Sequence, residues 1–310
     1  LGEGSCGYPG GCLIGARPID LHLQVLESLG AQVSAGCDEV QVRGRGERKA
    51  VGGMIRLRYP SVGATEQALL GAVLAEGTTQ IFGAAREPEI AQLCRFLKGM
   101  GARIEGCGTD CLTICGVKEL HDSYFPVEGD RIVAGTYMAA VMAATGQAEI
   151  RGVNLPELKL PCRLLMKAGA RIEKDETADA LRISMKERPR GLVIETAPYP
   201  GFPTDLQSPF MAFLAGAKGE SRIRETVFED RFATAGELRK MGARIRVQGR
   251  EAEIKGVWPL MGTKVQAKDL RGGAALVAAA LGAGGETVIE NCGYIERGYE
   301  DICRDLAALG

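Results

Sequence analysis

The chain has 310 residues, with 38 Lys and Arg against 39 Asp and Glu for a net charge of −1, so it holds about two domains and has no global attraction for nucleic acid or an anionic membrane surface. Its longest apolar run, residues 272–285, is too short and glycine-rich to span a bilayer, and no signal-peptide pattern is visible. Ten cysteines are too dilute for a disulfide framework, so reduced thiols and a cytoplasmic location are expected.

The first informative stretch, "GGCLIGARPID" at 10–20, joins the thiol of Cys12, flexible glycines and the cation of Arg17 ahead of a predicted helix. A neighbouring cation favours the thiolate, and glycines let a loop fold over a ligand. That helix closes at "LGAQV" (29–33). Next, "PSVGAT" (60–65) leads into the apolar helix "TEQALLGAVLA", and "EPEIAQLCRFLKGMGA" forms an amphipathic one ending at "MGARI" (100–104). "CGTDCLTIC", with Cys107, Cys111 and Cys115, reads as a strand rather than a metal site, because no His or further Cys completes a ligand set nearby. The same order then recurs: "GDRIVAGT" (129–136) before an apolar helix and "AGARI" (168–172) after an amphipathic one; "FPTDLQ" (202–207) before "SPFMAFLAGA", with "MGARI" (241–245) following; "KDLRGGA" (268–274) before "GAALVAAALGA", with "GYEDICRDLAALG" at the end.

Gly30, Gly101, Gly169, Gly242 and Gly310 thus recur about every 70 residues, which marks an internal repeat of helix, Gly turn, strand, connector, second helix, Gly turn and strand. The first helix of each unit is apolar on every side and has to be buried on every side, while the second is amphipathic. The pattern predicts an inside-out α/β arrangement, with the apolar helices inside and sheets and amphipathic helices covering them. Ahead of the inner helices lie Ser61, Asp130, Thr204 or Asp205, and Asp269. Singly these are ordinary N-caps; four in register point to a shared anion site at helix N-termini. Arginines recur in the connectors as Arg17, Arg86, Arg231 and Arg297. Arg86 and Arg231 read as solvated charges, whereas Arg17 and Arg297, beside glycine, suit a bidentate anion contact.

Taken together, "PGGCLIGARPIDLH" (9–22), "PSVGATE" (60–66), "AAREPEI" (84–90), "GDRIVAGTY" (129–137), "FPTDLQ" (202–207), "VFEDRF" (227–232), "DLRGGAALV" (269–277) and "ERGYE" (296–300) resemble the ordered motifs of the UDP-N-acetylglucosamine 1-carboxyvinyltransferase family of enolpyruvyl transferases. The resemblance spans nearly the whole chain. It implies two inside-out α/β domains, here 1–128 and 129–310, that close on phosphoenolpyruvate and UDP-N-acetylglucosamine without cofactor or metal, in the cytoplasmic synthesis of peptidoglycan. It implies Cys12 as proton donor to phosphoenolpyruvate, Asp205 as the base for the sugar 3-hydroxyl, and Arg297 as a phosphoenolpyruvate contact. Arg17, Pro18, Asp20, Leu21 and His22 would line the uridine diphosphate site with Ser61, Val62 and Gly63. Val227 would contact the sugar, and Asp269 and Arg271 would lie in the closed cleft. The family's Lys-Asn pair and a further arginine fall upstream of Leu1, and Tyr59 stands where many members carry lysine. The 310 residues alone are therefore expected to show no turnover, with the first domain short of one inner helix. The alternative is a noncatalytic sugar-nucleotide-binding paralogue.

Overall fold

The computed structural model describes residues 3–8, 10, 18–44, 50–175 and 177–309. They form two compact units: one holds the described residues up to Val127 together with Pro198–Pro200, the other Glu128–Ala197 and the chain from Gly201 onward.

In the first unit, helices α1 (Asp20–Ser28), α2 (Val62–Ala72) and α3 (Pro88–Gly99) pack beside a four-stranded sheet. Its order is Met54–Arg56, Thr78–Phe82, Cys111–Cys115, Arg103–Glu105, with the first pair parallel and the others antiparallel. Ile81 stands opposite both Ile55 and Leu112 in the register, and all three are fully buried, so one face of the sheet closes the core. A separate antiparallel sheet is formed by Glu3–Gly7, Glu39–Arg43 and Gln32–Ala35. Leu70 of α2 and Leu74 just beyond it are exposed.

The strand predicted over the cysteine run is Cys111–Cys115. Residues four apart on a strand lie about 13 Å from one another, too far to share an ion. Cys94, on α3, is fully buried; burial first, then the neighbouring Cys107 thiol, push it up to about 12.

The second unit contains α4 (Arg131–Ala144), α5 (Lys159–Ala168), α6 (Gln207–Ala215), α7 (Ala233–Lys240), α8 (Leu270–Leu281) and α9 (Ile302–Ala307). Helices α4, α6 and α8 pack against one another at the centre. All nine residues of α6 are buried; Pro209 to Ala215 are apolar without a break, and Ser208 donates to the Gln207 side-chain oxygen at 3.0 Å. Outside them lie the sheet Gln147–Arg151, Ala180–Ser184, Arg171–Asp175 and the sheet Val193–Glu195, Glu220–Arg224, Glu251–Lys255, Arg244–Gln248. The latter repeats the parallel-then-antiparallel order of the first unit's sheet. This is the inside-out arrangement read from the repeats.

Gly30, Gly101, Gly169 and Gly242 take φ values between 90° and 114°, a left-handed conformation that favours glycine, so the repeated glycine is the residue that turns the chain from helix to strand. At the turn after α4, Thr145 adopts φ 52° in place of the neighbouring Gly146. Close helix packing has its own glycine: a Cβ on Gly135 of α4 would lie 2.6 Å from Leu206, so the bare backbone is what seats the turn before α6. Among the described residues no helix is long and apolar enough to cross a membrane.

Candidate active site

Three of the four loop residues ahead of the inner helices are N-caps. Ser61 accepts from the Ala64 N–H at 3.4 Å, Asp130 from Ile132 and Val133 at 2.6 and 3.1 Å, and Asp269 from Gly272 at 2.8 Å. The fourth loop departs from this. Thr204–Leu206 forms a 3₁₀ turn, and no side-chain cap closes α6. The Asp205 carboxylate is thereby left for other work, and it meets two cations. Arg231 Nη2 donates to Asp205 Oδ1 at 2.6 Å, and Arg271 Nε lies 3.5 Å from Oδ2.

Both guanidinium groups are withdrawn from water. Arg231 is 5% exposed and packs over the Phe228 ring, with its centre 5.5 Å away; the Arg271 side chain is 13% exposed. Arg231 is therefore not the solvated charge its sequence position suggested. The fold brings residue 231, just ahead of α7, back to the turn before α6, and the ion pair offsets the cost of burying the guanidinium. Burial opposes the Arg271 charge, but Asp205 and the Tyr299 hydroxyl outweigh it and stabilise the cation. Tyr299 is itself buried, which raises its phenol; its Oη meets Thr136 Oγ1 at 2.8 Å and accepts from Arg271 Nη1 at 3.4 Å. Two guanidinium groups thus converge on the Asp205 carboxylate, and their planar forks suit the carboxylate and phosphate groups of an anionic substrate.

The second unit therefore brings together Asp205 and Arg271 of the expected set, with Asp269 at the cap of the helix that carries Arg271, and adds Arg231 and Tyr299. Asp269 is buried with its Oδ1 in the α8 cap, so its first task is structural. Val227 is exposed, and its backbone N–H is bound by Glu225. Arg297 is exposed in the turn after the 3₁₀ segment Cys292–Tyr294.

In the first unit the starts of α1 and α2 lie side by side. His22 Nδ1 donates to Gln67 Oε1 at 2.5 Å, since an amide oxygen only accepts, and Gln67 Nε2 donates back to the His22 carbonyl at 3.5 Å. A Cβ on Gly63 would stand 3.0 Å from the His22 ring; glycine there lets the two helix ends approach. Asp20 pairs with Arg58 at 2.5 Å, with both side chains substantially exposed. Pro18 is exposed, and Ser61 and Val62 are half-buried at the head of α2. Leu21 differs from its expected role: it is 2% exposed and belongs to the core, so only its backbone is available to a ligand. Cys12 and Arg17 lie outside the described residues.

The EPSP synthase (3-phosphoshikimate 1-carboxyvinyltransferase) family matches residues 2–306, and the chain belongs to that family. It is 46% identical over 309 residues to the UDP-N-acetylglucosamine 1-carboxyvinyltransferase 2 of Carboxydothermus hydrogenoformans, an alignment covering 100% of this chain and 73% of the relative. The UDP-N-acetylglucosamine 1-carboxyvinyltransferase 1 of Caldanaerobacter subterraneus is likewise 46% identical over 310 residues, covering 100% of this chain and 74% of its own. Among solved structures, the enolpyruvyl transferase NikO from Streptomyces tendae superposes with a TM-score of 0.86 at 27% identity, over 100% of this chain and 73% of that one.

Proposed function

We propose that the protein transfers the enolpyruvyl group of phosphoenolpyruvate to the 3-hydroxyl of UDP-N-acetylglucosamine and releases phosphate. The observation that carries this reading is the Asp205 carboxylate held between Arg231 and Arg271, in a chain 46% identical to enzymes named for that transfer. Asp205 is the base. It removes the proton of the 3-hydroxyl as the oxygen attacks C2 of phosphoenolpyruvate, while an acid delivers a proton to C3 and the double bond becomes a methyl group. Cys12 is assigned that acid role. In the second step C3 gives back a proton, the double bond re-forms and the C2–O bond to phosphate breaks, so the two protonation demands are reversed. Arg271, stabilised by Asp205 and Tyr299, and Arg297 supply positive charge to the carboxylate and phosphate of phosphoenolpyruvate. In the first unit, the α1 and α2 starts, with Pro18, Asp20, Leu21 backbone, His22, Ser61, Val62 and Gly63, serve the uridine diphosphate through helix N-termini and side-chain contacts. Arg17 is assigned to the same group.

The test is phosphate release with both substrates, measured on the 310 residues and on the same sequence extended upstream to the length of its relatives. In the extended enzyme Asp205→Asn lowers turnover roughly 100-fold or more while sugar-nucleotide binding stays within about tenfold, the scale of losing a general base. Weakened binding with unchanged turnover at saturation makes Asp205 a binding residue instead.

A further inference from the structure

Asp205 and Val227 sit in different loops, and both loops are tied to one side chain. Glu225, 1% exposed, accepts from Thr204 Oγ1 through Oε2 at 2.9 Å. Its Oε1 accepts from Thr196 Oγ1 at 2.8 Å and from the backbone N–H groups of Val227 and Phe228 at 2.8 and 3.1 Å. Thr196, fully buried, passes the connection on: its Oγ1 accepts from Thr226 N at 2.9 Å, and its carbonyl accepts from Thr226 Oγ1 at 2.6 Å. Every group that bonds the carboxylate is a donor, which suits two oxygens that only accept. Glu225 follows directly on the strand Glu220–Arg224, and its own N–H donates to the Arg250 carbonyl at 2.8 Å. The side chain is therefore anchored in the sheet and reaches out to two loops.

We propose that Glu225 is a positioning residue for the transfer, fixing the Asp205 loop relative to the 227–228 backbone. The inference rests on the reading of Asp205 as base and Val227 as sugar contact. Asp205 is tethered at two levels. Its carboxylate is held by Arg231 and faces Arg271, and its backbone is held one residue earlier by Thr204 on Glu225. The first fixes where the charge points and the second fixes where the loop stands. A base must lie within hydrogen-bond reach of its proton, and a displacement of about 1 Å costs on the order of 100-fold in rate. Because the same carboxylate also holds the Val227 N–H, the distance from base to sugar contact is set by one rigid group.

The two arms can be cut separately. In the extended enzyme, Thr204→Val keeps the side-chain volume and removes only the hydroxyl that reaches Glu225. It lowers kcat about tenfold or more with the KM for the sugar nucleotide within about twofold, and Thr204→Ser, which restores the hydroxyl, recovers kcat to within about threefold. Glu225→Asp keeps the charge but falls one methylene short of spanning both loops, so it lowers kcat and raises that KM together. Thermal melting of each variant reports the folded fraction by which rates are normalised. Normalised kcat within twofold of wild type for Thr204→Val overturns the proposal, as does failure of Thr204→Ser to restore it. An inactive wild-type enzyme defeats the transfer reading itself, a result distinct from either.

Discussion

Replacing Arg231 by methionine preserves length and removes the charge that holds Asp205. The lost contact is a 2.6 Å charge-assisted bond from a side chain 5% exposed to one 39% exposed. Bonds between charged groups of this kind contribute about 1.5–3 kcal/mol net; with Asp205 this open to water and Arg271 still 3.5 Å away, solvent screening brings the expected destabilisation down to about 1–2 kcal/mol. The kinetic effect is larger. Without its short tether the carboxylate turns toward Arg271 or water, and a displacement near 1 Å lowers kcat by about 100-fold. The groups assigned to uridine diphosphate are in the first unit, so calorimetric binding of the sugar nucleotide changes by no more than about threefold. Arg231→Lys restores charge without the planar fork and falls between the two. Phosphate release under saturating substrates, alongside thermal melting, measures both quantities. A kcat within threefold of wild type for Arg231→Met refutes the reasoning and leaves Arg231 as a core filler.

Brief labelling with a small epoxide phosphonate followed by mass mapping modifies Cys12 and spares Cys94 and Cys162, whose burial raises both thiols; equal labelling at either buried site rules this out. Burial works to raise the Glu237 carboxyl, but hydrogen bonds from Lys240, the Gln266 N–H and Lys268 outweigh it and hold it low. Its contribution is therefore complete above the unfolded carboxyl value of ~4.3 and lost as pH falls through the lower folded value. The difference in Tm between wild type and Glu237→Gln is accordingly constant above ~pH 5 and closes below ~4.3, whereas a gap independent of pH contradicts the ion-pair account.

The repeat was legible because it is written in local chemistry. A glycine at a positive φ and a helix apolar on every side each leave their mark within a few residues, and both series fell where the turns and inner helices are. Asp205 stood out for a related reason: with Thr204 it is a capping type of residue just ahead of an apolar helix. The structure adds that it does not cap. Arg231 and Glu225 were not legible. Their significance lies in partners 26 and 21 residues away in sequence, Asp205 and Thr204, and nothing in "RETVFEDRF" separates a buried anchor from the exposed charges around it. The in-phase recurrence of connector arginines was the available signal, but exposure statistics for arginine pointed the other way. Leu21 shows the converse: it stands in a stretch read as lining a ligand, and its side chain packs into the core.

The all-buried helix α6 has a bearing on how turnover is choreographed. Asp205 is joined to it through a single turn, and that helix is wedged among α4, α8 and the sheet strands Glu220–Arg224 and Glu251–Lys255. Moving the loop as a whole would require shifting a close-packed interior, which has few compact alternatives, so the Glu225 and Arg231 tethers have only the ångström-scale placement of the carboxylate left to set. On the proposed reading of Asp205 the base is thus a stationary reference point, and any travel that brings reactants into alignment has to be made by the substrates and by parts of the chain less deeply rooted.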